Sequence, residues 1–169
     1  MALTYEPIGT VTFNNTFSTT TFSSIPSTYT DLRLVVVSTI ATGTSELRAR
    51  FNGDTAGNYS FTYIAGDGAS SFSGYDPNRT SMGFGGFEMG TNKLAFYTLD
   101  VFSYAGSTFK TSLGTESNDQ NIGGGLGAGV GRRVNCWRST SAVTSLTVFS
   151  LAGTNFSSGN ATLYGIKAA

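Results

Sequence analysis

The sequence predicts an all-β fold: an antiparallel two-sheet β-sandwich, jelly-roll-like, built as one domain over residues 1–169. Three observations predict it. Apolar residues recur with a period of two in many short segments. The alternating residues are mostly β-branched or aromatic, which suits a packed, pleated surface. Clusters of Gly, Asn and Asp separate the segments, and no stretch shows a convincing helical period with capping.

Strands are expected near 3–13, 18–24, 31–40, 45–52, 59–64, 81–89, 93–105, 108–115, 132–139, 143–151 and 160–167. In 31–40, Leu32, Leu34 and Val36 share one face, and Arg33, Val35 and Val37 share the other. In 45–52, Leu47, Ala49 and Phe51 alternate with Arg48 and Arg50, and Asn52-Gly53-Asp54 follows as a hairpin-type signal. Tyr59 and Tyr63 are expected to pack a core with their hydroxyls at its rim. Residues 66–68 (GDG) and 75–78 (YDPN) read as loops. The segment from Leu94 to Tyr104 is apolar on both faces, which places it in the middle of a sheet. One helical turn near 115–120 is the only helix candidate. The run 123–131 (GGGLGAGVG) reads as a loop, or as a strand lying against a neighbouring backbone. Residues 153–155 and 158–160 bracket a loop before the last strand. Strands joined by short turns argue against a parallel sheet, which needs long crossovers.

Charged residues are 12% of the chain, about half the usual share, and the formal net charge is zero. Nothing in that balance draws nucleic acid or an anionic membrane at long range. Ser and Thr, roughly a quarter of the residues, take over the solvating role. Arg132, Arg133 and Arg138 form the one small basic cluster, expected to be solvated or locally paired. The lone Cys136, beside Val134 and Trp137, is expected to be a buried thiol. Residues 1–10 lack the basic start and apolar run of a secretory leader, and no run has membrane-span length. With only three Lys (Lys93, Lys110, Lys167) and three Pro (Pro7, Pro26, Pro77), sheet edges are expected to be thinly protected; other copies, as in a homotrimer, are expected to cover them.

The absence of histidine rules out a Ser-His-Asp triad or Cys-His pair and makes a zinc site implausible. The carboxylates Glu6, Asp31, Glu46, Asp54, Asp67, Asp76, Glu88, Asp100, Glu116 and Asp119 fall mostly at turns or strand ends, where Asp serves turn chemistry. The expectation is therefore a protein that is no enzyme and has no cofactor. Asp67, Tyr75 and Asp76 are the candidate loop contacts for a ligand; the same acids, with Asn78, could also contribute to a calcium loop, but no spacing resembles an EF-hand and turn chemistry is the better reading.

Residues 3–8 (LTYEPI), 22–32 (FSSIPSTYTDL), 50–54 (RFNGD) with 58–60 (NYS), 136–139 (CWRS) and 163–169 (LYGIKAA) resemble a group of small virion structural proteins of tailed phages. The resemblance runs end to end and is least distinctive over about 65–130. It implies a particle component made in the host cytoplasm: a capsid decoration (cement) protein on the outer shell, partnered by the major capsid protein. Related modules look like tail-fibre pieces, so a tail-associated receptor- or carbohydrate-binding tip is the alternative. No heptad run of a fibre stalk is present. Residues 1–8, with Leu3, Tyr5 and Ile8, are read either as an arm contacting the capsid or as an ordinary first strand.

Overall fold

The structure is a computed structural model, and it describes residues 5–118 and 129–167. The strands are β1 (Tyr5–Thr12), β2 (Thr19–Phe22), β3 (Asp31–Ile40), β4 (Thr44–Ser45), β5 (Leu47–Phe51), β6 (Tyr59–Gly66), β7 (Ser71–Arg79), β8 (Met82–Gly83), β9 (Met89–Gly90), β10 (Ala95–Val101), β11 (Lys110–Asn118), β12 (Gly129–Trp137), β13 (Leu146–Ser150) and β14 (Phe156–Ile166). A large sheet has the order β1-β14-β3-β10-β11-β12-β6-β7, and a small sheet has the order β2-β13-β5-β8. The ladders within both sheets are antiparallel.

Four pairings are nested: β1 with β14, β2 with β13, β3 with β10, and β5 with β8. First pairs with last and inner with inner, and the paired ribbon folds over into two sheets. That is the jelly roll the sequence predicts. The hairpin β6–β7, inserted between β5 and β8, and the pair β11–β12, inserted between β10 and β13, extend the large sheet by four strands beyond β10.

The roll closes because alternating residues meet between the sheets. Leu32, Leu34 and Val36 of β3 are fully buried, as are Tyr97, Leu99 and Val101 of β10, and they face Ala49 and Phe51 of β5 and Leu146 and Val148 of β13. Each of the Leu, Val and Phe side chains contributes about 1.5–3 kcal/mol on burial. β10 is the fourth of eight strands, as its two-sided apolar pattern requires. Tyr59 is fully buried and its hydroxyl hydrogen-bonds the backbone of Phe51, while Tyr63 is half-buried.

Several sequence-based expectations need correction. Residues 75–78 are not a loop but part of β7, an edge strand where the missing N–H of Pro77 breaks no ladder. Residues 158–160 lie in β14, whose register slips between Phe156 and Ser158. Asn52 and Gly53 do form a turn with positive φ, but it carries the chain from the small sheet to the large one instead of closing a hairpin. The expected strand 45–52 is interrupted at Glu46, and the expected strand 81–89 is only the two short pairings β8 and β9. The segment from Leu94 to Tyr104 leaves its strand at Val101. Residues 115–118 continue β11 and form no helical turn; Asp119 and Gln120 lie outside the described residues, as do 123–128 of the glycine run. Residues 129–131 begin β12, and a methyl group on Gly131 would lie 3.0 Å from the backbone nitrogen of Gly86, the close approach of the strand reading.

The edges are also better protected than composition suggested. Pro7 and Pro77 sit in the two edge strands of the large sheet, each beside a register shift. The small sheet ends in strands of four and two residues. Prolines, bulges and short edges all discourage strand addition, so the argument for a trimer from bare edges loses its support.

Candidate docking face

The site is built from a reversal of polarity. In β3 and β10 the inward residues are apolar, as a sandwich demands. In β11 the inward residues are Lys110, Ser112, Gly114, Glu116 and Asn118, all buried; in β12, Arg133 and Asn135 are inward and buried. The aliphatic residues of these strands face out: Val130 is 58% and Val134 52% exposed. The neighbouring hairpin adds Ile64 at 63% and Tyr75 at 64%. Ladder register puts Val134 and Tyr75 in one row, Leu113–Val134–Thr62–Tyr75, while Ile64 lies opposite Arg132 in the next row and Val130 opposite Gly66 in the one beyond.

The inward polarity has a local cause. Residues 81–90 cross the inner side of the extension as a strap in place of a second sheet, and the polar side chains below satisfy its backbone. Asn135 accepts from the Gly83 N–H and donates to the Gly83 carbonyl, both at 3.1 Å. Glu116 Oε2 accepts from the Phe87 N–H at 3.2 Å, and Asn118 donates to the Glu88 carbonyl at 2.9 Å. A buried backbone group left unpaired is costly, so these side chains do what a neighbouring strand would do. The fit is close: a methyl group on Gly114 would sit 2.7 Å from Phe84 Cα. Phe84 and Phe87 anchor the strap, buried against Tyr97 and Phe72 respectively.

Beneath the strap lies an ionic cluster. Arg48 pairs with Glu46 at 2.6 Å, and Arg133 stands 3.6 Å from the same carboxylate with its guanidinium 4.2 Å from the Phe61 ring centre. Burial pushes the Glu116 carboxyl up to about 8, against the pull of the Phe87 N–H and Arg133. Burial, with repulsion from Arg48, brings Arg133 down to about 10. Of the arginines expected to be solvated or locally paired, Arg133 is the paired one and is interior, while Arg132 is exposed.

On the outward side the apolar residues border two depressions. One, about 620 Å³, is an open groove lined on this face by Ile64, Ser73, Val130 and Arg132. The other, about 160 Å³, is lined by Thr62, Tyr75, Val134 and Cys136. Cys136 is only half-buried, because Val134 and Cys136 share the outward phase while Trp137 takes the inward one. Farther along the sheet, Arg33 pairs with Asp100 across β3 and β10, with contacts of 2.7 and 3.0 Å.

The structure does not bring the proposed loop contacts together. Tyr75 is outward on β7. Asp76 is the next residue on that strand, faces inward, and lies 3.9 Å from Arg79. Asp67 sits in the β6–β7 turn, accepting from the N–H groups of Ala69 and Ser70, which lower its pKa. That is the turn chemistry expected of an Asp at this position. Among the described residues, no three His, Cys, Asp or Glu side chains are grouped to hold a metal. Of the arm residues, Leu3 lies outside the described residues. Tyr5 and Ile8 are in β1: the Tyr5 hydroxyl accepts from Arg33 at 3.2 Å, and Ile8 packs on the core. Ile64, Val130 and Val134 were missed because a period-two reading sends valine and isoleucine inward.

No family model matches the chain, and no curated protein matches it. Among solved structures, the CBM2 module of Lactobacillus casei BL23 phage J-1 evolved Dit aligns over 89% of this chain and 69% of that chain, with 8% identity and a TM-score of 0.21. A likeness that weak carries no argument.

Proposed function

We propose that this chain is a non-enzymatic structural protein of a tailed-phage particle, a capsid decoration protein that seats the outward face of β11, β12, β6 and β7 on major capsid subunits. The observation that carries the reading is the reversed polarity of β11 and β12. Folding accounts for their polar inner residues through the strap, but it does not account for Val130, Val134 and Ile64 in water. Contiguous exposed apolar residues mark contact surfaces, and a jelly roll offers a rigid platform for them. The motif resemblance supplies the setting, a virion. A stable contact of this kind covers roughly 800 Å² per partner.

The test is a double substitution, Ile64→Lys with Val134→Lys, followed by gel quantification of the protein retained on purified particles. The reading expects a folded protein with at least a tenfold fall in occupancy. Full occupancy would refute this docking face. A second reading, a tail-associated receptor- or sugar-binding tip, draws on the exposed Tyr75 ring beside its small depression. Copy number separates the two: hundreds per particle for a decoration protein, a handful for a tip.

A further inference from the structure

We infer that the middle of the strap, residues 84–88, is a hinged cover that lifts from the inner face of the extension when Glu116 changes its charge, while the jelly roll stays folded. Lifting it withdraws the buried Phe84 and Phe87 rings, so the open state is a minor one, but the holds on the segment's backbone are local. At its ends the strap is held by two-residue ladders, β8 on Arg48 and Ala49 and β9 on Thr44 and Ser45. Between those ladders the backbone is pinned by side chains, Glu116 at Phe87 and Asn118 at Glu88. The flanking chain turns through left-handed backbone at Asn78 and Asn92, with φ of 53° and 54°.

The Glu116 pin is the sensitive one. Its Oε2 holds the Phe87 N–H while its Oε1 is buried without a hydrogen-bond partner. There is no slack above it, since a methyl group on Gly85 would lie 2.3 Å from Oε2. The charged and titratable groups around it are Tyr97 from β10, Arg133 from β12, and Glu46 and Arg48 from the small-sheet side; Glu88 belongs to the strap itself. As an un-ionised acid, Glu116 costs far less to bury than as a carboxylate. Once ionised it needs water at Oε1, and lifting the strap admits water.

Amide hydrogen exchange of the full-length protein across pH 5–9 tests this, read at the Phe87 N–H and compared with the core amides of Leu34 and Leu99. After correction for intrinsic rates, the Phe87 opening constant is expected to rise by up to about tenfold per pH unit from near 4.5 and level off above about 8. The core amides should not follow. Glu116→Gln should flatten the profile. Asn118→Ala, which removes a pin but keeps the acid, should raise opening at every pH and keep the slope. A pH-independent Phe87 opening constant, the same slope in Glu116→Gln, or Phe87 exchanging only together with Leu34 and Leu99 would overturn the inference.

Discussion

Asn135 shows what one buried side chain does here. Its amide completes both backbone bonds of Gly83, as a strand neighbour would. Asn135→Ala leaves a buried N–H and carbonyl unpaired at about 1–3 kcal/mol each; a loss of at least about 2 kcal/mol in denaturant unfolding is the expected result, and a loss under 0.5 kcal/mol would show that water replaces the amide. Trp137 is held comparably, donating to Asp54 at 2.7 Å, and Asn58 and Ala56 donate to the same carboxylate; these bonds outweigh burial and lower its pKa. Nothing at residue level forecast these roles. An Asn or Glu in an alternating strand reads as solvent-facing, and only the strap's backbone above it makes the inward phase the favourable one. Glu116, expected at a turn or strand end, is instead the most consequential carboxylate in the fold.

At the scale of elements, the strap and the extension depend on each other. Gly114→Ala pushes a methyl group against the Phe84 backbone, and overpacking of that kind costs typically 1–3 kcal/mol; the expected loss should appear in thermal unfolding and be absent for Gly9→Ala, whose methyl group comes no closer than 3.5 Å to the Phe22 ring. Glu116 also gives the fold a pH signature. Its carboxyl ionises near 4.5 when unfolded and near 8 when folded, so its contribution is complete below 4.5 and is lost as pH rises to 8. The slope approaches about 1.4 kcal/mol per pH unit. Thermal midpoints are therefore expected to fall between pH 5 and 8 in the wild type and to stay nearly level in Glu116→Gln. Below pH 4 the sign reverses, because Asp54 and Asp67 have lowered pKa values and lose favourable hydrogen bonds on protonation. The element pattern was legible wherever two sheets face each other: β3 runs from Asp31 to Ile40 as its alternation says. It was illegible where a strap replaces a sheet, since β8 and β9 are too short to carry a period and β11 and β12 carry the opposite one.

For the whole molecule, the jelly roll follows from many short alternating strands, and the sequence shows it without naming the strand order. The four-strand extension was not visible, because its hairpin and its strand pair look like any others until their sheet is known. The proposed docking uses apolar contact with a neutral, weakly charged chain, so binding to particles is expected to change less than threefold between 50 and 500 mM salt; release by moderate salt alone would point to an ionic interface instead. The most direct measurement is an image reconstruction of the intact particle at a resolution that shows strands. The account predicts hundreds of copies spread over the shell, with Ile64, Val130 and Val134 turned toward major capsid subunits. Density restricted to the tail, or copies on the shell with that face turned to solvent, would contradict it.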